Sequence, residues 1–186
     1  MALTPSAMIP LGTPMPSFQL PDTSQPQSDT LVSSDDYAGK PLLVIFICNH
    51  CPFVKHIAAG LSELAEQYIP AGLGIVAINS NDFASYPEDR PEKMQEEVAI
   101  RGYRFAYLVD EDQSVARAFD ATCTPDFFLF DKEGKLAYRG QFDDSRPGTD
   151  EPVTGKDLRV AVDKVLAGEK PAEDQAPSIG CNIKWK

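Results

Sequence analysis

Residues 42–56, LLVIFICNHCPFVKH, hold the transition that decides the fold. Residues 42–47 (LLVIFI) are an unbroken apolar run of branched and aromatic side chains, the composition of a strand buried on both faces at the centre of a sheet. From Pro52 the period changes. Phe53, Ile57, Leu61, Leu64 and Tyr68 recur at steps of four, four, three and four, which is one face of a helix that stops near Pro70 and Gly72. Residues 74–78 (GIVAI) supply a second buried strand, so strand, helix and strand form a crossover unit whose two strands run parallel. The turn that joins the first strand to the helix is Cys48, Asn49, His50 and Cys51.

Working outward, six of the sixteen prolines fall in residues 1–26, which favours irregular chain over helix. Residues 17–20 and 30–32 suit a pair of short edge strands. After the polar loop 79–90, Pro91 opens a helix with Met94 and Val98 inward and Gly102 as its stop. Residues 105–109 read as a strand, 112–119 as one or two helical turns, and 127–130, 131–134 (DKEG) and 135–139 as a hairpin. A last amphipathic helix covers 155–166, with Leu158, Val162, Val165 and Leu166 on one side. In the tail, 168–186, apolar Ile179, Cys181, Ile183 and Trp185 alternate, so the tail is expected to dock, with Trp185 as an anchor. No internal repeat marks a second domain.

The 186 residues suit one domain with a sizeable core. Twenty-eight acidic against seventeen basic residues leave a net charge of -11, and no window gathers enough Lys and Arg to neutralise several phosphates, which argues against a nucleic-acid partner. Lys40 is the first basic side chain, so the start reads as lacking a secretory signal; no apolar run reaches a membrane span's length, and a cytoplasmic location is expected. Four cysteines are too few for a disulfide scaffold in a chain this long, which turns attention to their chemistry.

Pro is favoured at the first helical position, which puts Cys51 at or beside the N-cap, facing unpaired amides and the positive end of the helix dipole. That setting favours a thiolate and makes Cys51 the expected nucleophile. The dipole supplies only about 0.3–1 kcal/mol, so a large shift also needs hydrogen bonds or a cation such as Lys55 or His50. Cys48, three residues earlier, gives the CxxC spacing in which a second thiol can resolve a mixed disulfide. A buried inert Cys48 is the plainer alternative. Zinc on Cys48, His50, Cys51 and His56 is a further one, weakened because Cys123 and Cys181 stand isolated rather than as a second ligand pair. The pair Asp143 and Asp144 reads as a solvated loop.

The Cys turn after a buried strand, Thr124-Pro125 ahead of FFLFD, the hairpin and the closing helix together resemble the thioredoxin fold in its peroxiredoxin and redoxin branch (alkyl hydroperoxide reductase, thiol-specific antioxidant), over about residues 15–167. The strings CNHCPFVKH, CTPDFFLFD, YRGQFDDSRP and PSIGCNIKWK narrow the likeness to its peroxiredoxin-like group. The resemblance implies an α/β fold, a central mixed sheet flanked by helices, with an N-terminal extension and a C-terminal tail. It also implies a reactive Cys51, a cis Pro125 packed against it, a Thr124 backbone offered to a substrate chain, and Cys123 brought near Cys51. The sequence departs from the family's pattern as well. Where peroxiredoxins carry the Pro and Thr that precede the peroxide-reducing Cys, this chain has Val44 and Cys48, and Val54 stands where thioredoxins have their second Cys. The resolving role therefore falls to Cys48, Cys123 or Cys181, with Cys48 favoured on spacing. The family's arginine would be Arg139 or Arg146, for both of which surface charge is the simpler role.

The expected activity is thiol-disulfide exchange by the Cys51 thiolate, with peroxide reduction as the near alternative and a non-turnover redox sensor as a different class. The substrate is a disulfide or peroxide, an external dithiol is the reductant, and neither cofactor nor metal is required. A homodimer stays open. All of this requires the Cys51 sulfur to be ionised and reachable from solvent.

Overall fold

The computed structural model describes residues 3–26 and 30–186; residues 1–2 of the proline-rich lead-in lie outside them. The chain folds as β1 (Leu3–Pro5), β2 (Gln19–Pro21), β3 (Leu31–Ser33), β4 (Leu42–Phe46), α1 (Pro52–Tyr68), β5 (Gly74–Asn79), α2 (Pro91–Arg101), β6 (Ala106–Val109), α3 (Ser114–Ala118), β7 (Cys123–Thr124), β8 (Asp126–Phe130), β9 (Leu136–Tyr138), α4 (Lys156–Leu166) and β10 (Ile179–Asn182). Five strands form the main sheet in the order β6-β5-β4-β8-β9. β4, β5 and β6 are parallel, whereas β8 and β9 join antiparallel, so the sheet is mixed.

β4 is buried at every position, as its continuous apolar run requires. Its side chains alternate between two cores. Leu43 and Ile45 face α1 and α4 together with Phe127 and Leu129, while Leu42, Val44 and Phe46 face α3, Phe18 and Leu20. On the second side Phe119 is a hub: its ring meets Phe46, Phe128 and Phe130 edge-on with centroids 5.5–5.9 Å apart. Such edge-to-face pairs add about 0.5–1.5 kcal/mol each beyond area burial. α2 stops where expected, at Gly102 in a left-handed conformation (φ 69°) that a glycine adopts without a Cβ penalty.

Two smaller sheets complete the fold. β2 and β3 form the edge pair foreseen from 17–20 and 30–32. The tail docks as β10, the middle strand between β1 and β7, and packs against α1. Trp185 is not its anchor: the indole is 40% exposed and stacks under Arg117, while Cys181 and Ile183 are the buried residues. Asp143 also departs from expectation. It is buried and accepts from the Ser145 hydroxyl and the backbone N–H groups of Ser145, Thr154 and Gly155, fastening the loop before α4, whereas Asp144 is exposed. No helix among the described residues is long and apolar enough to cross a membrane.

Candidate functional site

Cys51 is the N-cap of α1, with Pro52 at the first helical position. Ending a strand inside the sheet forces the following turn into the core, and three elements converge on it. From the turn after β4 comes Cys48, from β7 comes Thr124, and from β10 comes Cys181. Thr124-Pro125 is a cis peptide bond, as the resemblance implies. The Cys51 Sγ lies 2.8 Å from the Cys181 Sγ and donates to the Thr124 carbonyl at 3.1 Å while it is protonated. Cys48 Sγ is 3.5 Å from the Thr124 hydroxyl.

The Cys51 thiol is pulled down from its usual range to about 5: a hydrogen bond from Cys48 is the largest cause, burial opposes it, and the Cys181 thiol, the Thr124 side chain and the Val54 backbone N–H assist. The two neighbouring thiols move the other way. Donating to Cys51 and burial push Cys48 well up, and burial followed by the bond to Cys51 raises Cys181 to about 12. The site therefore separates one nucleophile from two proton-bearing partners. Lys55 is exposed, and the largest causes of the Cys51 shift are the neighbouring thiols, Thr124, the Val54 backbone and burial.

His50 plays a different part. Its Nδ1 is 2.7 Å from Asp89 Oδ2, and its ring stacks on Tyr86 with centroids 5.4 Å apart. Asp89, fully buried, also accepts from the Asn49 backbone N–H at 2.8 Å and from Asn81 Nδ2 at 2.9 Å, while Tyr107 donates to Asn49 Oδ1. The hydrogen bond to Asp89 raises the His50 pKa, and although burial works against the Asp89 carboxylate, the bonds from His50 and Asn81 hold its pKa down. Asp89, Asn81 and Tyr107 thus pin the turn that carries both cysteines. No motif in the primary sequence marks them: Asn81 and Asp89 share the polar loop 79–90 and Tyr107 comes from β6, and the nearest signal is the density of polar residues in that loop.

Cys48, His50 and Asp89 offer atoms within 4.8 Å of one another. Two ligands at about 2.0–2.1 Å from a tetrahedral zinc stand more than about 3 Å apart, so the 2.7 Å contact of His50 and Asp89 is an ion pair rather than half of a zinc site. His56 is not brought to this cluster either; its Nε2 is 3.1 Å from Ser145 Oγ.

Cys123 is buried with its Sγ directed to the Pro125 carbonyl at 3.5 Å, and burial raises its pKa. Beside it, burial lifts the Asp126 carboxyl to about 7 against the bond from the Thr122 amide, and Asp126 Oδ1 has no hydrogen-bond partner among the described residues. Neither arginine reaches Cys51. Arg139 holds Ile9 and Gln175, and Arg146 holds Gln141, Asp143 and Ser145, so both are loop braces rather than free surface charges.

The expected solvent access of Cys51 is not what the structure shows. Its exposure is 0%, against 1% for Cys48, 0% for Cys123 and 2% for Cys181. The cause is β10, which lies along β7 with Cys181 opposite Thr124 and covers the sulfur.

Residues 11–139, most of the chain and all the elements from β2 to β9, match the AhpC/TSA family. The chain belongs to that family. Its fold is that of thiol-disulfide oxidoreductases of the thioredoxin and redoxin type: a thioredoxin-family thiol:disulfide interchange protein from Chlorobium tepidum superposes with a TM-score of 0.65 at 19% identity, over 83% of this chain and 97% of that one. Two solved structures match nearly end to end, an uncharacterised conserved protein from Geobacillus kaustophilus (49% identity, 100% and 97% of the two chains, TM-score 0.95) and a hypothetical protein from Sinorhizobium meliloti (50%, 98% and 98%, 0.94). Among curated proteins, the thiol:disulfide interchange protein DsbE of Yersinia pestis is 29% identical over 131 residues, 69% of this chain and 63% of its own length.

Proposed function

We propose that this redoxin is a thiol-disulfide oxidoreductase with Cys51 as nucleophile and Cys181 as the resolving thiol. The observation that carries the reading is the 2.8 Å approach of Cys181 to a Cys51 sulfur whose pKa is lowered to about 5. The Cys51 thiolate attacks one sulfur of a disulfide, forms a mixed disulfide with it and releases the other half as a thiolate. Cys181 then attacks the Cys51 sulfur, passes its proton to the departing substrate thiolate, and closes a Cys51–Cys181 disulfide. The substrate gains two electrons and the protein dithiol loses them; an external dithiol reverses the change. Cys48, favoured from spacing, serves in this reading as the hydrogen-bond donor that keeps Cys51 ionised. A reducing compartment such as the cytoplasm suits a dithiol recharged in this way.

Peroxide reduction by the same pair is a second reading, favoured by burial of Cys51, which admits small oxidants more readily than a protein chain. There the thiolate attacks one peroxide oxygen, the O–O bond breaks and the other oxygen leaves as the alcohol or water after taking up a proton, which leaves a sulfenic acid; the Cys181 thiol then attacks that sulfur and displaces water to form the same disulfide. Turnover with a small disulfide, a protein disulfide and a hydroperoxide, each recycled by a thioredoxin-type reductant, tests the assignment. Cys51→Ser should abolish all three, and Cys181→Ser should stop after one oxidation. Substantial activity of Cys51→Ser would overturn the reading, and a single oxidation of the native chain without recycling would make the protein a sensor.

A further inference from the structure

β10 does more than cover the site. In antiparallel register, Cys181 faces Thr124 and Asn182 faces Cys123, so the tail uses the free edge of β7 as a pairing strand and delivers a sulfur to Cys51. A cysteine carried by another polypeptide would have to lie along the same edge to bring its sulfur to the same place. The position before the cysteine is Gly180, where a Cβ would fall 2.0 Å from the Thr124 carbonyl oxygen and 2.6 Å from its carbon. Backbone atoms cannot yield as a flexible side chain can, so this edge accepts a residue without a side chain there.

We propose that the tail is a displaceable self-substrate: a cysteine-bearing protein segment gains access to Cys51 by replacing β10 on Thr124, and the segment must carry glycine immediately before its cysteine. The inference rests on the exchange chemistry proposed above. Displacement is a local event because β10 belongs to a small sheet whose strands are only two to four residues long, separate from the main sheet. It is held by pairing to β1 and β7, by the buried Ile183 side chain and by bonds at both ends: before it, the Ser178 hydroxyl donates to the Pro125 carbonyl and Ser178 exchanges bonds with Ser6; after it, Ile183 N–H reaches the Thr122 carbonyl, Lys184 N–H reaches Asn81 Oδ1, the Lys184 carbonyl accepts from the Asp82 backbone N–H and the Gln113 side chain, and Lys186 N–H reaches Gln113 Oε1.

The test uses the full-length reduced protein and the hexapeptide SIGCNI, the sequence of residues 178–183, its cysteine carried as a mixed disulfide with thionitrobenzoate. Attack of Cys51 on the peptide sulfur releases the coloured thiolate, and Cys51→Ser supplies the background. Gly180→Ala drives a methyl into Thr124 and forces β10 outward; Ile183→Ala loosens the same strand by emptying its anchor, with no clash. Both, once folding is verified by circular dichroism, should react with the peptide about tenfold faster than the native chain, the size expected from losing one or two backbone hydrogen bonds. The gain should vanish for the peptide with valine in place of its glycine. Equal rates for native chain and variants, or for the glycine and valine peptides, would overturn the inference. Failure of the small bis(nitrobenzoate) disulfide to react at Cys51 in any of these proteins would instead count against the exchange chemistry itself.

Discussion

Cys51 and Cys181 are separated by 130 residues of chain, yet their sulfurs lie 2.8 Å apart at the N-terminus of α1. The contact needs three things at once: a strand that ends inside the sheet, a helix that begins on a proline, and a C-terminal strand threaded between β1 and β7. Hydrogen bonds from Cys48 and Cys181 favour the Cys51 thiolate and oppose ionisation of the donors.

The pH profile of Cys51 reactivity follows from this arrangement. With its pKa lowered to about 5, the rate of alkylation by a small reagent should rise through pH 5 and level off before neutrality. Cys48→Ala removes the strongest donor and should move the inflection upward toward the ordinary thiol range. An unchanged inflection would mean that the donor is another group.

Asp89 fixes the cysteine turn, so Asp89→Ala strands the Asn49 backbone N–H and the Asn81 amide and should cost about 1–3 kcal/mol for each buried group left without a partner. The pH dependence has a definite sign. His50 has a raised pKa in the folded protein, so its share of stability is fully present below its unfolded pKa and is lost as pH rises through the folded value. The His50 part of the deficit of Asp89→Ala should therefore shrink toward alkaline pH, as denaturant melts at several pH values would show.

Asp126 gives the same sign of pH dependence from a different cause. Its carboxyl is raised to about 7 by burial, so between the ordinary carboxylate range and pH 7 the folded state holds a proton that the unfolded state has released. Stability from this group falls as pH rises across that window. Asp126→Asn, which keeps an acceptor for the Thr122 amide, should raise the melting temperature more at pH 8 than at pH 5; an equal shift at both would contradict the burial account.

In the core, Phe119→Ala removes the ring on which Phe18, Phe46, Phe128 and Phe130 meet and should cost about 3–5 kcal/mol in chemical denaturation. A loss near zero would mean that the second core collapses around the gap.

The sequence exposes features that repeat locally and hides those made by distant strands. The run 42–47 and the helical spacing from Phe53 to Tyr68 dictate β4 and α1, because a strand buried on both faces and an amphipathic helix each write a period into the chain. Pro52 does the same for the N-cap. The strand character of the tail is visible in the alternation from Ile179 to Trp185, but its partner is not, since pairing with Thr124 depends on a backbone edge that carries no residue signature. For the same reason the CxxC spacing favours Cys48 as resolving thiol and carries no sign of the tail strand that sets Cys181 against the Cys51 sulfur and covers it. The role of Asp143 was obscured likewise: the four donors that bury it lie up to twelve residues away.

The most direct test is mass mapping of the bonds formed when the reduced protein is treated with one equivalent of a mild oxidant. A Cys51–Cys181 disulfide as the dominant product is the expected result. A dominant Cys51–Cys48 or Cys51–Cys123 bond, or a stable sulfenic acid at Cys51 with Cys181 still free, would contradict it.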